Sequence, residues 1–167
     1  MGKHETSYPR VERDHYPTPS WVVDALDEHV DFVGKVVWEC AAGTGQMAEA
    51  LKAAGAAKVC STDVVERSYP LDAVFDFLFL RDPGLPRCDL IATNPPLGPG
   101  GKLAAAFVAR GLERLSHGQS LALLLPADFD SGVTRRKFFH DCIEYQEWSK
   151  RYLGKLLLAE PRTAART

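Results

Sequence analysis

The stretch KVVWECAAGTGQMAEALKAAG, residues 35–55, changes its hydrophobic period part-way along. Its first six residues form a short β-branched run of the kind that is buried on both faces of a sheet. Its last ten place apolar residues at helical spacing and stop at Gly55, and Gly43 and Gly45 stand between the two patterns. Glycines there permit positive φ and let a ligand approach the backbone closely, while the helix that follows offers unpaired amides at its start. Twenty residues beyond Gly43, near the end of the apolar run AKVCSTDV (57–64), stands Asp63. A carboxylate so placed can accept hydrogen bonds from both hydroxyls of a ribose, so the unit reads as a β-α-β that binds a nucleoside.

The same alternation continues outward. CDLIAT (88–93) and LALLLP (121–126) are two more nearly continuous apolar strands, with the helical GKLAAAFVARGLERLS (101–116) between them. On that helix Leu103, Phe107, Val108, Leu112 and Leu115 are expected to face inward. Upstream, YPTPSWVVDALDEHVDF (16–32) predicts a helix that Thr18 or Ser20 can cap, with Pro19 in its first turn. Its apolar stripe is Trp21, Val22, Ala25, Leu26, His29 and Val30. Downstream, 134–148 predicts another helix with Phe138, Phe139, Cys142, Ile143 and Tyr145 inward, and GKLLLAE (154–160) one last strand. Apolar strands alternating with amphipathic helices specify an α/β fold, a Rossmann-like doubly wound, mostly parallel sheet with helices on both faces. A length of 167 residues suits one such domain, expected over 16–160, with a flexible N-terminal arm (1–15) and a disordered tail (161–167).

Two features narrow the ligand. Ala48 stands where a dinucleotide-binding loop carries its third glycine, and an acid, Glu39, precedes Gly43 by four residues. A carboxylate beneath the loop suits a ligand with positive charge, such as the aminium and sulfonium of S-adenosylmethionine, and repels a pyrophosphate. A nicotinamide oxidoreductase is disfavoured by Glu39, by Ala48 and by the want of a substrate domain. The segment TNPPLGPGG (93–101) then leaves a strand on the edge where a doubly wound sheet binds its ligand. Its prolines lock φ, so the Asn94 side-chain oxygen and the Pro95 carbonyl can act as two convergent acceptors for the hydrogens of an amine. Such a grip aims the nitrogen lone pair at an electrophilic methyl group.

On these residues the chain resembles the class I S-adenosylmethionine-dependent methyltransferases, whose first motif is acid-x-x-x-Gly-x-Gly. It resembles in particular their amino-methylating branch with an Asn-Pro-Pro-aromatic motif, which includes adenine-specific DNA, ribosomal RNA guanine and release-factor glutamine methyltransferases. The resemblance, over about 16–139, implies S-adenosyl-L-methionine as cofactor. It implies Glu39, Ala41, Gly43 and Gly45 around the methionine end and Asp63 at the ribose. Thr18 and Pro19 correspond to an upstream cofactor contact, and Asp76 and Phe77 to the adenine site, with Asp72 and Asp82 as competitors. Asn94, Pro95, Pro96 and Leu97 take the catalytic motif, with Leu97 where the branch carries a base-stacking aromatic ring. The implied reaction is methyl transfer to an exocyclic amine, with adenine N6 in DNA the first expectation. RNA, a protein glutamine, or an inactive cofactor-binding module are the alternatives.

Composition sets the remaining bounds. A net charge of -2 supplies no global attraction to nucleic acid, so such a partner must be held by a local patch. The four cysteines form no Cys-x-x-Cys pair and read as reduced, mostly buried thiols, and the five histidines show no ligand spacing, so no metal is expected. No run approaches the ~20 apolar residues of a membrane span, and the start carries no apolar signal run, so a cytoplasmic chain with no membrane partner is expected. TRRK (134–137) reads as a solvated charged face, and Trp21, Trp38 and Trp148 as core or core-edge residues.

Overall fold

The computed structural model describes residues 17–79, 86–116, 118–129, 132 and 135, together with the backbone of 154–159. Each apolar run named above becomes a strand: β1 (Val36–Glu39), β2 (Lys58–Asp63), β4 (Leu90–Thr93) and β5 (Ser120–Pro126). They assemble with β3 (Ala73–Val74) and β6 (Gly154–Ala159) into one sheet of order β3-β2-β1-β4-β5-β6. The first five strands run parallel, and β6 pairs antiparallel with β5 from Leu121↔Ala159 to Pro126↔Gly154.

Neighbouring residues of each central strand enter opposite layers, as the pleat requires. Val37, Val59, Leu90, Ala92 and Ala122 pack on one face against Val23 and Leu26 of α1 (Trp21–Asp27) and Met47, Ala48 and Leu51 of α2 (Gln46–Ala53). Trp38, Cys60, Ile91, Leu121 and Leu123 pack on the other against Ala104, Phe107 and Val108 of α3 (Lys102–Arg114). The expected doubly wound sheet with helices on both faces is the observed one. Ala48, where a dinucleotide-binding loop has glycine, is fully buried and seats α2 against the sheet.

Several details depart from the expectation. β3 went unpredicted because it is a two-residue strand with both side chains exposed. On α1, Trp21 is 45% exposed and His29 is exposed, whereas Val23 is buried. Trp21 lies across the helix from Val23 and Leu26, and His29 falls after the last helical residue, Asp27, so the helical phase does not reach it. Ser20 occupies the N-cap position without a side-chain bond, and Thr18 has another partner, described below. On α3, Leu103 is 39% exposed rather than inward, because it stands in the first turn of the helix and lines the open cleft. The expected helix over 134–148 lies outside the described residues apart from Arg135, as do the proposed arm, the tail, Cys142 and Trp148.

Candidate active site

β1 is flanked by β2 and β4, so the chain leaves the two central strands β1 and β4 toward opposite halves of the sheet. At such a switch point the loops at the carboxyl ends of the strands part and leave a crevice. Here it is a cleft of about 560 Å³ between the β1–α2 loop, the end of β2, residues 76–78 and the β4–α3 loop.

Glu39, the last residue of β1, is buried at the floor of this cleft. Its Oε1 accepts the Ala41 N–H at 3.1 Å and a short hydrogen bond from the Thr93 hydroxyl. Burial pushes its carboxyl up from the ordinary 4.5 to about 7, against the opposing pull of those two donors, and the nearby Asp63 carboxylate adds a smaller rise. The next residue, Cys40, is also buried, and burial together with Glu39 pushes its thiol well above the usual range. The thiols of Cys60 and Cys88 are likewise raised by burial, so all three stay protonated at neutral pH.

The glycine loop is latched from the neighbouring strand. Gly43, at φ 56°, donates its N–H to Asp63 Oδ2 at 2.8 Å, and Asp63 Oδ1 accepts the Val65 N–H at 3.1 Å. Asp63 therefore shapes the loop as well as facing the cleft. Gly45, at φ 82°, serves packing: a Cβ there would lie 2.1 Å from Tyr69 Cδ2, so the ring of Tyr69 occupies the space a side chain would need.

On the opposite wall Asp76 Oδ1 accepts the Leu78 N–H at 2.9 Å, which fixes the turn that carries Phe77. The Phe77 ring stacks on Phe107 at 5.0 Å and meets Trp38 edge-on at 5.3 Å. Trp38 in turn donates Nε1–H to the Thr62 hydroxyl at 2.8 Å, so this wall is rigid and apolar. Of the three acids, Asp76 lines the cleft and Asp72 is committed elsewhere, its Oδ2 accepting the Ser61 N–H at 2.7 Å. Asp82 lies outside the described residues.

Asn94 follows Thr93 at the end of β4 and lines the cleft, and its Nδ2 donates to Thr18 Oγ1 at 3.1 Å. That bond turns the amide so that its oxygen lies on the side away from Thr18. Cleft residues among those expected are thus Thr18, Glu39, Ala41, Gly43, Asp63, Asp76, Phe77, Asn94 and Pro96. Pro19 and Gly45 line an adjoining open groove instead. The Pro95 ring is buried, and Leu97 packs against the core outside the cleft. Thr44, Met47, Val64, Arg67, Leu78 and Leu103 are among the further lining residues that were not foreseen. Val64 follows Asp63 directly and was legible in principle, whereas Arg67 arrives through loop geometry, and Leu103 through the placement of the first turn of α3, that no spacing encodes. Among the described residues no group of histidine, cysteine and acidic side chains could hold a metal ion, and no helix is long and apolar enough to cross a membrane.

This architecture recurs in solved structures. A 16S rRNA guanine-N2 methyltransferase (RsmC) from T. thermophilus, in complex with S-adenosylmethionine and guanosine, superposes with a TM-score of 0.60 at 22% identity, over 96% of this chain and 45% of that one. A candidate class I S-adenosylmethionine-dependent methyltransferase from Listeria monocytogenes gives 0.59 at 12% identity, over 89% of this chain and 59% of that one. The fold is that of the class I methyltransferases. A candidate RNA methyltransferase from Pyrococcus horikoshii shares this fold at nearly the same length, with a TM-score of 0.57, 17% identity, 93% of this chain and 92% of that one. The chain spans less than two thirds of the other two. No protein-family model and no curated protein matches the sequence, so the likeness to the class I methyltransferases is one of structure.

Proposed function

We propose that this chain is an S-adenosylmethionine-dependent methyltransferase that acts on an exocyclic amine of a nucleobase, with adenine N6 in DNA as the first target. One observation carries the reading: Asn94, turned by Thr18, opens into the same cleft as Glu39, Gly43, Asp63, Asp76 and Phe77. The cleft fits the cofactor on its own chemistry. A buried carboxylate whose ionisation burial opposes is a site that a cationic group relieves, which matches Glu39 to an aminium or sulfonium. Asp63 presents acceptors at the end of β2 for ribose hydroxyls, and Phe77 offers an apolar wall beside Asp76 for an adenine. When bound, the cofactor supplies an electrophilic methyl group.

The chain's own residues do the rest by placement. The Asn94 side-chain oxygen and the Pro95 carbonyl accept the two amine hydrogens, which leaves the nitrogen lone pair directed at the methyl group. Such orientation lowers the barrier by several kcal/mol without a strong base, and the amine proton leaves to an acceptor or to water once attack is under way. Guanine N2 in RNA is the second reading, favoured by the superposition on an rRNA guanine methyltransferase. Tritium transfer from labelled S-adenosylmethionine, run in parallel on duplex DNA, single-stranded DNA and ribosomal RNA, tests both. Label in DNA adenine is the expected result, label in RNA guanine selects the second reading, and label in neither polymer contradicts the proposal.

A further inference from the structure

We infer that Leu103, with Pro96 and Pro99, is the surface on which the acceptor ring lies, in place of the motif position Leu97. The inference rests on the proposed amino-methyltransferase reading and names the residue that sets acceptor fit.

Leu97 turns toward the core instead of the cleft. Its side chain packs against the core layer that holds Trp38, Phe77 and Phe107, and it does not line the cleft. Its carbonyl accepts the N–H groups of Leu103 at 3.1 Å and Ala104 at 3.4 Å, so its backbone is tied to the first turn of α3. A larger ring at position 97 would meet the core first. Leu103, the second residue of α3, has the opposite environment: it is 39% exposed although large and apolar, and it lines the same cleft as Asn94. Room for it comes from Gly98. At φ 65°, a Cβ at Gly98 would lie 2.7 Å from Leu103 Cγ, so only the bare backbone allows the leucine to lie over this end of the cleft. Pro99 is exposed beside it and Pro96 half-buried.

None of these three side chains can donate or accept a hydrogen bond, so the wall recognises a flat apolar face and leaves polar selection to Asn94. A nucleobase turned out of its stack presents such a face. Contact there is aliphatic on aromatic, which holds the base without the strong stacking that a tyrosine or tryptophan would give.

The test uses the full chain saturated with S-adenosylhomocysteine and titrated with a single-stranded DNA oligonucleotide, and its RNA counterpart, each carrying one 2-aminopurine. Wild type should bind and brighten the emission, because the base leaves its quenching neighbours for an aliphatic wall. Leu103→Trp should bind at least as tightly and quench it, as the indole stacks on the base. Leu103→Ala should weaken binding by roughly three- to thirtyfold through lost apolar contact. Affinity for S-adenosylhomocysteine should be unchanged in both variants, which also reports that they are folded. Equal affinity and equal emission in all three proteins would overturn the inference, as would failure of both oligonucleotides to bind a protein that binds S-adenosylhomocysteine. Failure of wild type to bind S-adenosylhomocysteine at all would instead overturn the proposed function.

Discussion

Glu39→Gln is expected to stabilise the ligand-free protein above pH 7 and to cost it the cofactor. In the unfolded chain the Glu39 carboxyl ionises near 4.5, and in the fold near 7, because burial disfavours the charge. Between those values the unfolded state loses its proton while the folded state keeps it, so wild-type stability falls as pH rises through that window and levels off above it. The whole difference corresponds to about 3 kcal/mol, or roughly 6 to 12 °C in melting temperature for a chain of this size. Glutamine keeps an oxygen for the Ala41 and Thr93 donors and has no charge to bury, so thermal melts of the two proteins should coincide near pH 4 and separate above pH 7. Affinity should move the other way. Removing a charged partner of the cofactor's cationic end weakens binding by about 10- to 150-fold. A variant that is more stable and still binds normally would show that Glu39 holds no ligand, whereas one that is less stable would show that the carboxylate supports the fold.

Asn94→Ala is expected to lower methyl transfer by roughly a hundredfold or more, by analogy with the loss of one preorganised hydrogen-bonding group at a reacting centre. Affinity for S-adenosylhomocysteine should change little, since the proposed reading gives Asn94 to the acceptor amine and not to the cofactor. Thr18→Val keeps the shape of the threonine and removes the acceptor that orients the amide, so it should lower turnover by a smaller factor, about tenfold. Single-turnover rates beside equilibrium binding separate the two effects. Loss of cofactor affinity in Asn94→Ala with the residual rate preserved would move Asn94 to the cofactor site and contradict its assigned place.

The parts of this structure that were legible in the sequence are those that local chemistry decides. Nearly continuous apolar runs such as those that become β1 and β4 bury both faces of the sheet, so the parallel sheet follows from them. Gly43 and Asp63 were legible as a pair because their separation is fixed by one β-α-β turn of chain. What escaped was set by packing between distant segments. Tyr69 accounts for Gly45, and nothing in their spacing announces that contact. The Thr18 hydroxyl read as a helix cap because it precedes α1, yet it bonds Asn94, 76 residues away. Leu103 has the helical phase of a core residue, yet in the first turn of α3 it lines the cleft and stays partly exposed.

The most direct measurement is a calorimetric titration of wild type with S-adenosylmethionine at pH 7, repeated in two buffers of different protonation heat, with NAD as the control ligand. A site built on Glu39 should bind one S-adenosylmethionine and no NAD, and should release about half a proton as the carboxyl is driven to its charged form. No heat with S-adenosylmethionine at millimolar concentration, or binding of NAD in its place, would contradict the assignment of this cleft.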